Sequence, residues 1–158
     1  MLIRQLLVVT VAVTAAAPIL ADDKAAGLAE HEAAFAKLLT GSTLVGRFTI
    51  DGKRDEPGAA ERYEIDKIEK LDQERWLVTA RVKYGKNDVK VPIPVPVKWA
   101  GKTPVMSADQ LTIPGLGTFG FRVLFHGNRY VGTWQHGPVG GHMYGQIERT
   151  RPAKTLDK

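Results

Sequence analysis

The chain has 158 residues, of which 22 are Lys or Arg and 17 are Asp or Glu, and its net charge is +5. This length suits one domain rather than two. The sequence contains no cysteine, which excludes disulfides, thiol catalysis and thiolate metal sites, so the fold must be held together by its core. Its basic residues are scattered rather than clustered, which is typical of a solvated surface.

Residues 1–21 have the layout of a secretory signal peptide. Arg4 gives a positive start, residues 6–17 form an apolar run, and Ala21 is a small residue at the predicted cleavage site. The alternative is an uncleaved membrane anchor, but the run is shorter than the roughly 20 residues that a membrane span needs. We therefore expect a secreted or periplasmic protein, with no stable membrane insertion after cleavage and no nucleic-acid partner.

Residues 22–41 predict the only helix of the chain. Asp22 or Asp23 can cap its first turn, and Gly41 can end it. The helix carries a modest apolar stripe that includes Phe35. We expect this stripe to pack against the domain that follows.

From Thr43 onward apolar residues recur with a two-residue period, which is typical of strands that bury one face. About eight such segments follow one another with short turns and no helices between them, which favours antiparallel pairing. We predict an all-β fold: an antiparallel up-and-down barrel of about eight strands over residues 42–150, preceded by the helix and followed by a polar tail at 151–158. A two-sheet sandwich is the alternative.

The segment at residues 89–99 combines this period with three prolines. Valine, isoleucine and tryptophan occupy the odd positions, and Pro92, Pro94 and Pro96 occupy even ones. Because residues i and i+2 direct their backbone groups toward the same neighbouring strand, the prolines remove three donors from one edge. We predict a long strand that is apolar on its inner face and poorly paired on one side.

Two other segments break the regular alternation. Ile65 and Ile68 have opposite parity in the second strand, which predicts a β-bulge near residues 66–67. Residues 104–113 predict either one strand or two short pieces. Elsewhere, inward-facing glycines at 46, 132 and 145 would let the wall bend, or let large rings such as Trp99 and Trp134 lie across the backbone.

The meander order, the length, the triplet Gly132-Thr133-Trp134 in a late strand and Arg149 at the end of the last one resemble the calycin barrels, the lipocalins and avidins. Segments 95–104 and 140–149 also resemble exported bacterial proteins without an assigned activity. The calycin resemblance implies a barrel closed at one end. We place the mouth at the loops 51–60, 85–88, 107–117 and 136–141, and the helix at the opposite end.

The inner strand positions hold many aromatic residues, which could line a cavity for a small apolar ligand. An eight-stranded barrel is also narrow enough to be filled by its own side chains, so a packed interior stays open as the alternative. Phe119, Phe121 and Phe125 belong to this set. The candidate ligand-binding residues are Tyr63, Trp76, Tyr84, Trp99, Tyr130 and Trp134.

No catalytic constellation is present in the sequence, and we predict neither an enzyme nor a cofactor. The two serines lie outside any Gly-x-Ser-x-Gly motif. His136 and His142 bracket a hairpin loop and would bind zinc or copper if a third ligand such as Asp109 joined them, but two ligands fall short of the usual number. We therefore predict no metal site.

The leading hypothesis is an exported, non-catalytic, calycin-like barrel that binds a small apolar ligand or peptide. The first alternative is a structural or protein-interaction domain of the cell envelope with a filled core. The second is a metal-dependent enzyme that uses His136 and His142. An open cavity with convergent polar groups favours the first hypothesis, and a solid interior with an exposed apolar patch favours the envelope domain.

Overall fold

The computed structural model describes residues 18–53, 57–84 and 87–149, without the side chains of residues 18–24, 83, 84 and 87. One helix precedes eight antiparallel strands, which pair in chain order and close into a barrel when the last strand pairs with the first. This confirms the predicted up-and-down barrel. The elements are α1 Pro18–Leu39, β1 Ser42–Phe48, β2 Ala59–Lys70, β3 Arg75–Tyr84, β4 Asn87–Ala100, β5 Thr103–Ile113, β6 Gly117–His126, β7 Arg129–His136 and β8 Val139–Arg149.

The helix begins at Pro18, earlier than the sequence indicated, and so extends across the predicted cleavage site after Ala21. The rest of the predicted signal peptide and the polar tail lie outside the described residues, and the cleavage stays a prediction. Gly41 ends the helix with a φ of 66°, in the left-handed region that glycine adopts without strain. Among the described residues, no helix combines the length and apolar character that crossing a membrane requires.

The helix packs against one end of the barrel, as expected. Leu39 is fully buried and Phe35 is 3% exposed. The ring of Phe35 has its centroid 5.8 Å from that of Trp76 and 5.4 Å from that of Phe125. Arg149 on the last strand donates from its guanidinium to two carbonyl oxygens at the end of the helix, at 2.8 and 3.0 Å. The barrel therefore has one closed end.

The strands show the irregularities that the sequence predicts. The β2–β3 register shifts between Ile65 and Lys67, which restores the inward direction at Ile68. Both isoleucines are buried. Residues 103–113 form one strand, and its pairing with β6 is irregular between Ala108 and Leu111.

The proline-bearing strand β4 is paired unevenly on its two sides. Residues 87–96 pair with β3 over their whole length, whereas only four pairs, from Val97–Met106 to Ala100–Thr103, join β4 to β5. The N–H of Val97 donates to the carbonyl oxygen of Glu74 at 2.7 Å, which shows that odd-numbered residues direct their donors toward the β3 side. The prolines therefore face β5, and the predicted poorly paired edge is confirmed.

Candidate ligand-binding cavity

The barrel encloses a cavity of about 410 Å³. Its wall is almost entirely apolar and includes inward side chains from all eight strands. The aliphatic part includes Ile65, Val78, Ala80 and Val95. The aromatic part consists of Phe48, Tyr63, Phe119, Phe121, Phe125 and Trp134.

The cavity has a floor at the helix end and a rim at the opposite end. Phe125 forms part of the floor, because its ring also contacts Phe35 of the helix. His136 and Val139 belong to the rim, and Val139 is 43% exposed. The His136 ring stacks on Phe119 with a centroid separation of 4.4 Å. The cavity therefore opens at the end where the sequence placed the mouth.

The wall is incompletely covered at the seam between β4 and β5. Ile93, Met106 and Leu111 line the cavity at this seam and are only half-buried, whereas Val78 and Ala80 of the neighbouring β3 are buried. The prolines of β4 explain the difference, because they leave this edge without the donors that a continuous ladder needs.

Two of the predicted ligand-binding residues, Tyr63 and Trp134, line the cavity. The indole N–H of Trp134 donates to the carbonyl oxygen of Thr49 at 3.2 Å, and its ring lies edge-on to Phe48 with a centroid separation of 5.7 Å. Trp134 is therefore held in one orientation by both a polar and an apolar contact. The side chain of Tyr84, a third predicted residue, lies outside the described residues.

Trp76 and Trp99, also predicted to bind ligand, lie at the closed end and are not part of the cavity wall. Both rings meet Phe35 edge-on, at centroid distances of 5.8 and 5.9 Å. Trp99 also lies near His31 of the helix, with centroids 6.3 Å apart. These two rings therefore pack against the helix at the closed end, apart from the residues that line the cavity.

Glu61 is the residue of the cavity wall that the sequence analysis overlooked. Its side chain is 3% exposed, and its two carboxyl oxygens accept hydrogen bonds from the hydroxyls of Tyr63 and Tyr130, each at 2.8 Å. Burial raises the pKa of Glu61, and the two tyrosine hydrogen bonds oppose that shift. Tyr63 and Tyr130 were both predicted to bind ligand. Tyr63 lines the cavity, whereas Tyr130 is buried and is not among the residues that line it.

Two glycines allow Tyr130 to reach Glu61. The register places Tyr130, Gly145, Gly46 and Glu61 in one row across β7, β8, β1 and β2. A Cβ atom at Gly145 would lie 2.8 Å from Cε1 of Tyr130, and one at Gly46 would overlap the Tyr130 hydroxyl. The missing side chains therefore create the path along which the tyrosine ring crosses the wall.

The third inward glycine, Gly132, has a different role. A Cβ atom there would lie 2.9 Å from the Cα atom of Val123, so this glycine permits a close approach of β7 to β6. The ring that lies across Gly145 and Gly46 is that of Tyr130, whereas Trp99 packs at the closed end.

The histidine pair does not converge. His136 is on the inner face at the rim, whereas His142 is exposed on the outer face, between the buried Gly141 and Met143. The third candidate ligand, Asp109, forms an ion pair with Arg122 on the surface. No cluster of three His, Asp or Glu side chains suited to a metal ion occurs among the described residues.

A second cavity, of about 430 Å³, lies outside the barrel on β2, β3 and β4. Charged side chains form its wall, and they pair with one another: Arg81 with Asp88 at 2.6 Å and Lys90 with Asp66 at 2.5 Å. Such mutually paired surface charges are a weak basis for ligand recognition. The interior cavity is therefore the stronger candidate.

No family model, curated protein or solved structure matches this chain. The barrel architecture alone does not assign an activity, because one fold hosts many unrelated functions. The function must be inferred from the cavity and from the side chains that form its wall.

Proposed function

We propose that this chain is an exported, non-catalytic, calycin-like barrel that binds a small apolar ligand in its interior. The observation that supports this most directly is the cavity of about 410 Å³ with its apolar wall. Small-molecule sites are typically apolar clefts of roughly 300–1,000 Å³ with a few placed polar groups. Here those groups are Glu61 and Tyr63.

A completely filled core fits the geometry less well. Protein interiors are close-packed and contain few voids larger than a water molecule. The side chains of β2 and β3 at the cavity level, such as Ile65, Val78 and Ala80, are buried and border this empty volume. A bound apolar molecule would supply the missing contacts.

An envelope or protein-interaction domain is the second candidate, and the outer face supports it. Leu124, Val131 and Tyr144 lie directly opposite one another on β6, β7 and β8 and are 37%, 52% and 46% exposed. This row is a small apolar strip on an otherwise polar face. Binding of a ligand in the cavity and binding of a protein to the outer strip are separate properties, so each can be tested without the other.

Replacing Ala80 with leucine should block ligand binding by filling the cavity. Ala80 is 4% exposed and its side chain borders the cavity, so a longer side chain extends into the space that a ligand would occupy. We expect the affinity for n-decanol, measured by titration calorimetry, to fall at least tenfold. The free energy of unfolding should stay constant or rise, because the added carbons become buried.

The matched control is Ala33→Leu, which adds the same atoms on the exposed face of the helix. It should leave n-decanol binding unchanged. Failure of the wild-type protein to bind n-decanol, or equal affinities for the wild type and Ala80→Leu, would contradict the interior site. Native mass spectrometry of the purified protein would in addition reveal a co-purified ligand and its mass.

A further inference from the structure

We infer that the cavity selects an apolar ligand with one hydrogen-bond-donating group, most favourably a protonated amine, which binds at the carboxylate of Glu61. This inference rests on the proposed function and names the class of ligand that the same site would take. It follows from the position of Glu61, from the charges around it and from the composition of the rest of the wall.

Glu61 is placed to meet a ligand. Glu61 is among the residues that line the cavity, and at 3% exposure it lies away from bulk water. A carboxylate offers about four acceptor directions. Tyr63 and Tyr130 supply one donor to each oxygen, which leaves acceptor capacity for a ligand.

The carboxyl group is also rigidly held. Tyr130 reaches it from β7 across Gly145 and Gly46, and Tyr63 reaches it from its own strand. A group held by two phenol hydroxyls, one of them on the buried Tyr130, loses little freedom when a ligand binds, which favours selective recognition.

Within the part of the chain that the structure describes, no Lys or Arg compensates the carboxylate. No Lys or Arg of the described residues contributes to the cavity wall, and the causes of the pKa shift at Glu61 are burial and the two tyrosines alone. Tyr63 and His136 are the other titratable residues of the wall, and His136 lies at the rim against Phe119. An ionised Glu61 therefore lacks a counter-charge that a protonated amine would provide in a charge-assisted hydrogen bond.

The same features disfavour acidic ligands. A fatty-acid carboxylate placed at this depth would meet the like charge of Glu61 and no described basic side chain. An alcohol of equal length would bury the same hydrocarbon and donate one neutral hydrogen bond. Since the alkyl chains are equal, the polar group should decide the order of the affinities: the amine binds most tightly, the alcohol less tightly and the carboxylate most weakly.

The experiment compares n-decylamine, n-decanol and decanoate by titration calorimetry on the full chain at pH 7. We expect n-decylamine to bind about tenfold or more tightly than n-decanol, since hydrogen bonds with an ionised partner are roughly twice as strong as neutral ones. Decanoate should bind most weakly. Because the alkyl chains are matched, hydrophobic burial cancels in the comparison.

Glu61→Gln should remove the preference while keeping a side chain of similar shape. We expect its affinity for n-decylamine to fall about tenfold and its affinity for n-decanol to change less than about threefold. The control is Glu69→Gln, which removes the same charge from an exposed position on the same strand. It should leave all three affinities as in the wild type, which excludes a general charge effect.

Each outcome decides between the two proposals. If n-decanol binds but n-decylamine shows no preference in the wild type, or decanoate binds best, the Glu61 inference fails while the interior site stands. An amine preference that survives in a folded Glu61→Gln variant overturns the inference in the same way. If none of the three molecules binds to the wild type, the proposed function itself fails. If Glu61→Gln does not fold, the affinities of the wild type for the three ligands test the Glu61 inference by themselves.

Discussion

Replacing Trp76 with alanine is expected to lower the free energy of unfolding by about 3–5 kcal/mol, whereas Trp76→Phe should cost less than about 1.5 kcal/mol. Trp76 is 2% exposed and meets the ring of Phe35 edge-on. Truncation to alanine therefore removes the contact that fixes the helix to the barrel and leaves a void. Phenylalanine keeps an aromatic ring in that place.

The indole nitrogen is a second reason why Trp76→Phe should cost little stability. Nε1 of Trp76 is buried without a hydrogen-bond partner in the described part of the chain. Phenylalanine thus removes a polar group whose burial is itself costly, and no hydrogen bond is lost. Trp134→Phe is the matched control, because this substitution removes the hydrogen bond from the indole nitrogen to the carbonyl oxygen of Thr49.

Denaturant unfolding followed by far-ultraviolet circular dichroism measures all three variants. We expect Trp134→Phe to be more destabilising than Trp76→Phe by about 1 kcal/mol, the typical net value of a hydrogen bond. A loss below about 1 kcal/mol for Trp76→Ala would show that the helix does not rely on this contact. Equal losses for Trp76→Ala and Trp76→Phe would show that a phenyl ring does not replace the packing of the indole.

Most of the architecture was predictable because a barrel strand obeys simple local rules. The two-residue period identifies the buried face of each strand, and the short turns between periods require antiparallel neighbours. Pro92, Pro94 and Pro96 share parity, which is enough to predict a defective edge without knowing which strand lies beside it. Ile68 is apolar at a position where strict alternation from Ile65 predicts the outer face, and this mismatch predicts the bulge.

The depth of a side chain along the barrel axis was not predictable in this way. Trp76 and Val78 share one face of β3, but the first meets the helix and the second borders the cavity. Alternation gives the face and not the level, because the level depends on the stagger of all eight strands. For this reason the sequence did not separate Trp76 and Trp99, which lie at the closed end, from Trp134, which lines the cavity.

Glu61 was overlooked for a different reason. A carboxylate at the start of a strand, next to a polar loop, is usually solvated, and burial of such a group is rare without partners. Its partners come from Tyr63, two residues away, and from Tyr130, far away in the sequence. The alternation along β2 did indicate an inward position, because Glu61 lies on the same face of the strand as Tyr63 and Ile65. Only the fold shows that this face has hydroxyl donors in reach.

Replacing Tyr130 with phenylalanine is expected to lower the free energy of unfolding by about 1–3 kcal/mol at neutral pH, and by less in acid. The Tyr130 hydroxyl donates to a buried carboxyl oxygen at 2.8 Å, and its removal leaves that oxygen without its donor. The cost of an unsatisfied buried acceptor is largest when the group is charged. The loss should therefore grow as Glu61 ionises.

The direction with pH follows from the sign of the pKa shift. Burial raises the pKa of Glu61 in the folded state above its ordinary value of 4.5. A carboxyl group of this kind favours folding at low pH, and its contribution is lost as the pH rises from the ordinary value through the folded-state value. Tyr130→Phe removes a hydrogen bond that lowers the pKa of Glu61, so in the variant this decline continues to a higher pH.

Denaturant unfolding at pH 5, 6, 7 and 8 checks the prediction, with Tyr144→Phe as the control. Tyr144 is 46% exposed on the outer face, so its loss of a hydroxyl should change the stability by less than about 0.5 kcal/mol at every pH. In a Glu61→Leu background, Tyr130→Phe should be neutral or stabilising, because the hydroxyl has then already lost its acceptor. A Tyr130→Phe loss that is independent of pH, or that persists with Glu61→Leu, would show that the hydroxyl does not act through Glu61.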